Sequence, residues 1–461
     1  MHFELAYGKG RLGLDLPGSA AVTVVEPTYL PGLPDPVAAV RAALAAPIAA
    51  LAAPVAAQPL AELARPGMRV GLIFSDITRA TPHEVILPPI LDALAQAGVP
   101  REDITLFEAL GTHRRNSEAE LAGMLGEELA RTFRIVQNDA FDPATQAYAG
   151  RSSRGHEIWL NREMLECDLR ILTGFIEPHF FAGFSGGGKA IMPGMAGLRT
   201  VLGNHDAGMI SHPNATWGVT EGNPIWEEVV EVALAAGPLF LVNVTMNRDR
   251  QVTGVFAGDL LPAHAAGCEF ARRTAMTPVP HPFDIVITTN SGYPLDQNLY
   301  QAVKGMSAAA QIVKPGGAII IAAECADGIP DHGKYGELLR GAESPAALLE
   351  TINQPGFLEQ DQWEAQIHAQ ILLKAEVYVR TDNLTRAQIE SALLKPCVRI
   401  EDTVAGLLAR YDKASAADRG FALADRGSET SATDRGSAAS ICVLPEGPQT
   451  IPFVGIRTQE R

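Results

Sequence analysis

A pattern repeated between residues 69 and 139 limits the folds open to this chain: an apolar strand, a polar turn and an amphipathic helix follow one another. The predicted strands are 69–75, 103–110 and 133–138, and the predicted helices lie near 82–98 and 117–125. Ser117 and Glu120 have the S-x-x-E spacing of a capping box at the start of the second helix. This alternation is typical of a mostly parallel sheet with helices packed on its faces.

The same pattern returns later in the chain. A further strand is predicted at 168–174, and helices are predicted near 223–236 and 262–276. After about residue 275 the predicted elements are a strand at 283–289, a helix near 298–313, a break at the PGG of 315–317 and a strand at 318–323. The sequence therefore predicts an α/β protein with two α/β domains and mostly parallel sheets.

We expect the first domain to span 1–272 and the second to span 273–413. The segment 414–440 is rich in Ala, Ser, Asp and Gly and repeats the tripeptide DRG at Asp418, Asp425 and Asp434. This low-complexity composition predicts a flexible insertion. The closing residues 441–461 contain two short apolar strands, which we expect to rejoin the first domain.

Composition limits the class of protein. The formal net charge of -16, with dispersed Lys and Arg, argues against a nucleic-acid partner. Arg41, Pro47 and Pro54 interrupt the Ala-rich stretch 37–57, which predicts a pair of soluble helices and no membrane span. The first residues lack the pattern of a secretory signal, so the cytoplasm is the expected compartment. The five cysteines form no CxxC motif and are expected to be buried, reduced thiols.

Polar residues follow three of the predicted strands. They are Asp76, Thr78, Arg79 and Thr81 after the first strand, His113, Arg114 and Arg115 after the second, and Glu177 and His179 after the strand at 168–174. Ligands of open α/β sheets bind beyond the carboxyl ends of the strands, so these residues predict a site. Two histidines suit general acid and base chemistry near neutral pH, and a planar guanidinium such as that of Arg79 suits a carboxylate.

The segment 174–197 has an unusual composition, with seven glycines and Lys189 in 24 residues. Such a density predicts backbone that approaches a ligand closely. Residues 183–189 match the GxxxxGK pattern of a phosphate-binding loop, but Ala190 stands where Ser or Thr would hold magnesium, and the preceding strand does not run directly into Gly183. The alternative to a ligand-binding loop is a loop that is only flexible, although a lone lysine in such a loop needs an anionic or covalent partner.

Further candidates are less specific from the residues alone. His205 is either structural or the single protein ligand of a metal whose other donors come from another molecule. Gln301 and Lys304 share one face of a predicted helix that follows a strand, next to Tyr300, and are either functional or a solvated face. Trp363 is either a core anchor or part of a site.

Together these motifs resemble the nickel-pincer-nucleotide-dependent lactate racemase family. The matching segments, in order between Asp76 and Lys304, are SDITR, GTHR, PHFFAGFSGGGKAIMPG, GNHD, EGNP and YPLDQNLYQAVKG. The resemblance is weaker at both termini, and the DRG-containing segment departs from it.

The resemblance implies two α/β domains with a cofactor cleft between them and a racemase or epimerase of 2-hydroxy acids. The implied cofactor is a nickel pincer nucleotide, pyridinium-3,5-dithiocarboxylic acid mononucleotide nickel, joined to Lys189 through a thioamide, with His205 as the nickel ligand. Family matching assigns the remaining residues: His113, His179, Arg79 and Lys304 as catalytic, Asp76, Thr78, Ser185, Gly186, Gly187, Gly188 and Gln301 as cofactor-binding, and Arg79, Tyr300, Lys304 and Trp363 as substrate-binding. Cofactor-building enzymes are the implied partners, besides a small 2-hydroxy acid substrate.

In the implied mechanism, hydride leaves C2 of the substrate while a histidine takes the hydroxyl proton, and the 2-keto acid is reduced again from its other face. The family acts on lactate and also on dicarboxylate, aromatic and sugar acids. Phe180, Phe181 and Phe184 are candidates to line the pocket, and Arg115 either offers a second cation to a dicarboxylate or faces solvent. A phosphate-transferring enzyme and a non-catalytic nickel-cofactor binding protein are the alternatives from other classes.

Overall fold

The computed structural model describes residues 1–18, 20–48, 58–331, 333–422 and 439–455. The chain forms two compact units, Thr28–Ala275 and a second unit that combines Met1–Pro27 with Met276–Arg461.

The strands of the described residues are β1 (His2–Tyr7), β2 (Gly10–Asp15), β3 (Ala21–Val24), β4 (Val70–Ser75), β5 (Ile104–Ala109), β6 (Arg134–Gln137), β7 (Gln146–Arg151), β8 (Glu157–Asn161), β9 (Leu169–Phe175), β10 (Pro178–His179), β11 (Gly183–Phe184), β12 (Leu239–Met246), β13 (Val252–Gly258), β14 (Met276–Val279), β15 (Phe283–Thr289), β16 (Val313–Ala322), β17 (Glu376–Arg380), β18 (Lys395–Pro396), β19 (Ser440–Leu444) and β20 (Ile451–Val454).

The α-helices of the same residues are α1 (Pro36–Ala45), α2 (Leu60–Leu63), α3 (His83–Gln96), α4 (Glu118–Leu125), α5 (Glu127–Thr132), α6 (Arg162–Leu165), α7 (Leu198–Asn204), α8 (Ala207–Ile210), α9 (Pro224–Ala235), α10 (Leu260–Ala275), α11 (Leu299–Ala310), α12 (Tyr335–Arg340), α13 (Pro345–Ile352), α14 (Gln362–Lys374), α15 (Arg386–Ser391) and α16 (Ile400–Ala422). Short 3-10 turns occur at Arg101–Asp103, Pro143–Thr145, Gly187–Ala190 and Gly447–Gln449.

The unit 28–275 is built on a sheet with the strand order β13-β12-β9-β4-β5-β6. All neighbours pair in parallel except β12 and β13, which are antiparallel. Residues 70–74 of the central strand β4 are all buried, as expected of a parallel strand covered on both faces. Leu72 and Phe74 pack with Ile86 and Ile90 of α3 in the core of this unit.

The second unit contains a parallel sheet with the order β18-β17-β16-β15-β19-β3. The β1–β2 hairpin packs on it, since Leu5 and Leu14 share a core cluster with Ile285 and Ile287. The first 27 residues therefore belong to this unit, and the expectation that they form part of the first domain was wrong. Their apolar side chains find buried partners on β15, which no local pattern reveals.

The prediction of two α/β domains with mostly parallel sheets is confirmed. The strands predicted at 69–75, 103–110 and 283–289 correspond to β4, β5 and β15, and the capping box at Ser117 and Glu120 forms. The predicted break at 315–317 lies inside β16, which begins at Val313, but it interrupts the pairing with β15: Phe283 pairs with Val313 and Ile285 with Ala318, with a register shift between them. Gly316 in this irregular stretch has a φ of +76°, which a glycine takes without steric cost.

The closing strands do not rejoin the first domain. In β19, Ile441–Leu444 are buried, and the strand lies between β15 and β3 at the interior of the second sheet. An apolar run of this kind is most stable where both faces and both edges are covered. Strand β20 pairs with β14 in the same unit, so the expected return of 441–461 was wrong.

Three other expectations have mixed outcomes. Helix α16 continues to Ala422, and 423–438, which hold two of the DRG repeats, lie outside the described residues. The first helix of the predicted pair at 37–57 is α1, whereas 49–57 lie outside the described residues. All five cysteines are free thiols, and Cys167 is the one that is not fully buried.

Among the helices of the described residues, none has both the length and the apolar character that a membrane span requires.

Candidate active site

Three neighbouring strands of the first sheet carry the candidate catalytic residues at their carboxyl ends. The order β9-β4-β5 places the loop with Asp76 and Arg79 between the loops that carry His179 and His113. Two contacts join these loops directly, since His113 contacts Asp76 and Arg79 lies near Glu177. The topology thus brings together residues that are far apart in sequence.

The closest of these contacts joins His113 Nδ1 to Asp76 Oδ2 at 2.6 Å. Asp76 is buried and also accepts a hydrogen bond from Thr78 Oγ1 at 2.7 Å. Burial raises the pKa of the Asp76 carboxyl, but His113, Thr78 and Arg79 outweigh this effect, so the pKa lies below its usual value. The ionised carboxylate therefore accepts the Nδ1 proton, and when the imidazole carries no second proton, Nε2 is a proton acceptor.

His179 has the opposite arrangement. Its ring is buried against Phe180 and Phe181, with ring centroids 4.9 and 4.5 Å away. The backbone N–H groups of Phe181 and Ala182 point at Nδ1 from 3.5 and 3.3 Å. Because Nδ1 accepts, the proton of the neutral imidazole lies on Nε2.

Arg79 lies in a turn, with its backbone N–H donating to Asp76 O at 3.1 Å. Its Nη1 lies 3.8 Å from Glu177 Oε1, which is an ion-pair distance but too long for a hydrogen bond. The Arg79 side chain is 24% exposed, so its guanidinium is accessible from solvent. It is therefore able to form a bidentate pair with an incoming carboxylate.

Lys189 and His205 lie around one aromatic ring. Lys189 Nζ is 5.6 Å from the centroid of Phe181, and the His205 ring is 5.0 Å from the same ring. Burial lowers the pKa of His205 to about 3, and the positive charge of Lys189 acts in the same direction. The imidazole is consequently neutral at physiological pH, which is the state that binds a metal ion.

No group of three or more His, Cys, Asp or Glu side chains that could hold a metal lies among the residues that the structure describes. His205 lies outside any such group, and a single imidazole can serve an ion only where the other donors come from a bound molecule. A buried neutral imidazole beside a lysine fits that arrangement, because nitrogen donors suit transition metals and the lysine can carry the molecule.

The glycine-rich loop packs closely against the side chains of Asn243 and His264. A Cβ on Gly186 would lie 2.5 Å from Asn243 Oδ1, and one on Gly187 would lie 2.6 Å from His264 Cδ2. Asn243 also accepts the Gly187 N–H at 2.7 Å, and His264 Nε2 donates to Ser185 O at 2.8 Å. These contacts require glycine at positions 186 and 187 whether or not a ligand approaches the loop, and the expectation of a close ligand stays a prediction. Asn243 and His264 were missed because both lie far away in sequence.

The same loop does not have the form of a phosphate-binding loop. The two-residue strand β11 precedes it, and the segment containing Lys189 is a 3-10 turn at Gly187–Ala190. The next α-helix, α7, begins only at Leu198. A phosphate-binding loop joins a strand directly to a helix, so this geometry disfavours a phosphate-transferring enzyme.

A second cluster lies in the other unit, on α11 and α14. Trp363 Nε1 donates to the Tyr300 hydroxyl at 3.0 Å, and Lys304 Nζ donates to Gln301 Oε1 at 2.6 Å. Gln301 is buried, so the alternative of a solvated helix face is wrong for this residue. Glu364, which no pattern in the sequence indicates, is buried beside Trp363; burial raises its pKa to about 8, and Lys304 opposes that rise.

Other candidates have simpler environments. Arg114 pairs with Glu120 Oε1 at 2.7 Å. Arg115 is exposed, which agrees with the alternative that it faces solvent. Phe180, Phe181 and Phe184 are buried.

Comparisons with known proteins place this chain and its fold in a family. Residues 7–218 match the model of the lactate racemase N-terminal domain, and residues 279–417 match that of the lactate racemase C-terminal domain. A lactate racemase of Thermoanaerobacterium thermosaccharolyticum is 36% identical over 400 residues, which cover 86% of this chain and 91% of the relative. A lactate racemase of Lactiplantibacillus plantarum is 39% identical over 324 residues, which cover 70% of this chain and 76% of the relative.

Solved structures agree. The lactate racemase apoprotein from T. thermosaccharolyticum superposes with a TM-score of 0.84 at 32% identity, over 98% of this chain and all of the other. A protein from Thermotoga maritima shares the fold, with a TM-score of 0.64 at 16% identity over 93% of this chain and all of the other.

The fold and these matches define an enzyme of the isomerase class, a racemase. The chain belongs to the lactate racemase family. The resemblance inferred from the sequence motifs is thereby confirmed.

Proposed function

We propose that this chain inverts the C2 carbinol centre of a 2-hydroxy acid. Lactate is the first substrate to test, because both relatives are named lactate racemase. The proposal rests on two histidines at the ends of the strands on either side of β4, whose rings are hydrogen-bonded in opposite ways. Nδ1 of His113 donates to Asp76, so its Nε2 can accept a proton, whereas Nδ1 of His179 accepts backbone N–H groups, so its Nε2 carries the proton. A reaction that runs in both directions needs one of each at any moment.

In the proposed reaction, Nε2 of His113 takes the hydroxyl proton of one enantiomer while its Nδ1–H stays on Asp76. The Asp76 carboxylate stabilises the imidazolium that results. His179 first gains a proton from solvent on Nδ1 and then, as an imidazolium, gives its Nε2 proton to the keto oxygen when the 2-keto acid is reduced from its other face, which leaves a neutral imidazole. For the opposite enantiomer the two histidines exchange roles: the neutral His179 takes the hydroxyl proton and the His113 imidazolium gives its proton to the keto oxygen, which restores the protonation states of both histidines.

We propose that Arg79 binds the substrate carboxylate. Its long contact with Glu177 keeps the guanidinium oriented without occupying it in a close pair. The resemblance supports Tyr300, Lys304 and Trp363 as further substrate-binding residues, with Lys304 also as a catalytic residue. Malate and other 2-hydroxy acids are alternatives to lactate, and a panel of acids separates them.

We also propose that the chain uses a nickel pincer nucleotide, since the family needs a nickel cofactor. Lys189 would hold it through a thioamide, and His205 would be the protein ligand of nickel. When bound, such a nucleotide supplies a ring that takes up and returns hydride, so that C2 becomes planar. The residues proposed to line this cofactor are Asp76, Thr78, Ser185, Gly186, Gly187, Gly188 and Gln301.

The test is to produce the protein together with cofactor-building enzymes, the proposed partners, and to measure intact mass, nickel content and racemisation of an acid panel. We expect added mass on Lys189, about one nickel per chain, and racemisation that is lost in His113→Ala and His179→Ala. An unmodified lysine with no nickel and no racemisation would overturn the proposal.

The same measurements separate the other classes. A non-catalytic binding protein would take up the cofactor, and neither histidine variant would change any turnover. A phosphate-transferring enzyme would hydrolyse a nucleoside triphosphate without the cofactor. The cytoplasm remains the compartment in which we expect the protein to meet its cofactor-building partners.

A further inference from the structure

A fully buried carboxyl group lies behind the candidate catalytic pair. Glu108 in β5 is 0% exposed, and its Oε1 accepts a hydrogen bond from Asn116 Nδ2 at 2.6 Å. Its other oxygen, Oε2, has no hydrogen-bond partner within the described part of the chain. No residue of this kind was singled out from the sequence, and the proposed reaction does not use it.

The partner of Glu108 ends the loop that carries His113. Asn116 is held at its backbone as well, because its N–H donates to Gln137 Oε1 at 2.8 Å and its carbonyl accepts from Gln137 Nε2 at 3.0 Å. Gln137 belongs to β6, the strand next to β5. The loop is thus attached at its far end to two neighbouring strands.

The near end of the loop is attached too. Gly111 N–H donates to Gly194 O at 2.9 Å, and His113 N–H donates to Leu110 O at 3.0 Å. Between these attachments the imidazole of His113 is hydrogen-bonded to Asp76. The position of the imidazole therefore depends on the anchors at both ends of the loop.

Glu108 also lies close to Asp76. In the parallel register Phe74 is opposite Glu108, Asp76 follows directly after the end of β4, and the charge of Asp76 acts on Glu108. An ionised Glu108 would place a second buried negative charge there without a cation bonded to it. Burial, and next the charge of Asp76, raise the pKa of Glu108 to about 8.

The other charged groups that act on Glu108 are Glu120 at the start of α4, which raises its pKa, and Arg115 of the loop, which lowers it. The hydrogen bond from Asn116 also lowers it. Burial and Asp76 outweigh the two favourable contacts, so Glu108 holds its proton at neutral pH.

We propose that Glu108 is a positioning residue for His113, acting as an uncharged carboxyl that accepts a hydrogen bond from Asn116 and so fixes the loop that holds His113 against Asp76. The effect of Glu108 on catalysis rests on the proposed function. Its structural effect, the position of His113, does not depend on that function.

The matched variants are Glu108→Gln, Glu108→Ala and Asn116→Ala. Glutamine keeps an acceptor for Asn116 and cannot ionise, whereas either alanine removes the bond. In the holoenzyme at pH 7 we expect Glu108→Gln to keep kcat within about threefold, and each alanine variant to lower kcat by about tenfold or more with KM nearly unchanged. The double alanine variant should be no worse than either single one, because both changes remove the same bond.

Two measurements on the protein without cofactor make the test independent of racemisation. The first is the NMR signal of the His113 Nδ1 proton, which we expect to be retained in Glu108→Gln and lost to exchange in both alanine variants. The second is the unfolding temperature. Folded Glu108 keeps its proton where the unfolded chain has lost it, so wild type should lose stability relative to Glu108→Gln as pH rises from about 4.5 to about 8.

A Glu108→Gln variant as impaired as Glu108→Ala would overturn the uncharged role. Alanine variants that keep the His113 signal would overturn the positioning role. If the signal and stability change as expected but no variant racemises any acid, including wild type, the proposed function fails while the positioning of His113 by Glu108 stands.

Discussion

Nδ1 of His113 and Oδ2 of Asp76 lie 2.6 Å apart, although the two residues belong to loops after different strands. The contact selects one tautomer of the imidazole, because only a protonated Nδ1 can donate to an ionised carboxylate. The side chain of Asp76 is almost fully buried, whereas that of His113 is 34% exposed. One end of the imidazole is therefore fixed in the protein while the other remains accessible.

The substitution Asp76→Asn should weaken the selection of this tautomer. It replaces one of the two acceptor oxygens by an amide nitrogen, and wherever that nitrogen faces His113 the imidazole has to accept at Nδ1 and carry its proton on Nε2. We expect Asp76→Asn to lower kcat by about 10²-fold or more, in keeping with the loss of a general base. Thr78→Val, which removes only the 2.7 Å bond to Asp76, is the control and should cost less than about tenfold. Steady-state racemisation kinetics check this, and equal kcat in wild type and Asp76→Asn would contradict it.

His205 and Lys189 should have separable effects on cofactor binding. We expect Lys189→Ala to abolish the covalent mass increase, because its amine would form the link. His205→Ala should keep the mass increase and lose about tenfold or more in nickel affinity, since one coordinating nitrogen is removed. Intact mass and metal analysis of the same preparations measure both. Full nickel retention in His205→Ala would refute the ligand assignment.

Gly187→Ala should destabilise the loop that carries Lys189. Gly187 has a φ of +57°, and an added Cβ would lie 2.6 Å from the His264 ring. We expect a loss of about 1–3 kcal/mol in the free energy of unfolding, from backbone strain and displacement of the ring. Gly123→Ala in α4 is the matched control, because nothing lies within 4 Å of its added Cβ, and it should be neutral or stabilising. Chemical denaturation checks both variants, and equal effects would contradict the argument.

His156 should stabilise the first unit in a pH-dependent manner. Its Nε2 lies 3.5 Å from Asp206 and its Nδ1 lies 2.8 Å from Glu228, which also accepts bonds from Ser152 and Asn204. Hydrogen bonds to Asp206 and Glu228 raise the pKa of His156 to about 9. A raised pKa stabilises the folded state fully below about 6.5, and this contribution disappears as pH rises through about 9.

We therefore expect His156→Ala to lower the free energy of unfolding by about 1–2 kcal/mol at about pH 6, after allowance for solvent screening, and by less at about pH 10. The exposed His212 provides the control variant, His212→Ala, with little change at either pH. Urea denaturation at the two pH values measures the difference. A loss that is the same at both pH values would rule out the charged pair as its source.

The fold class and most of the strands that lead to the site could be predicted from the amino-acid sequence alone. Strands β4, β5 and β15 are long apolar runs between turn residues, and a run of this kind is buried wherever it pairs. The loops after β4, β5 and β9 could be predicted as one site, because parallel strands present their carboxyl ends at a common edge. The six motifs from SDITR to YPLDQNLYQAVKG, taken together, were enough to indicate the family.

Packing between segments that are distant in sequence decides which residues contact each other at the carboxyl edge of the sheet and which residues support them from the interior. Glu108, Asn243, His264 and Glu364 carry no local signal, because their roles depend on partners on other strands or loops, far from them in sequence. The same reason explains the wrong assignments of 1–27 and 441–461: each short apolar segment fits any sheet locally, and the choice between sheets depends on which unpaired edge and which core cluster are available. Local pattern thus determines which segments are buried, and long-range packing determines where.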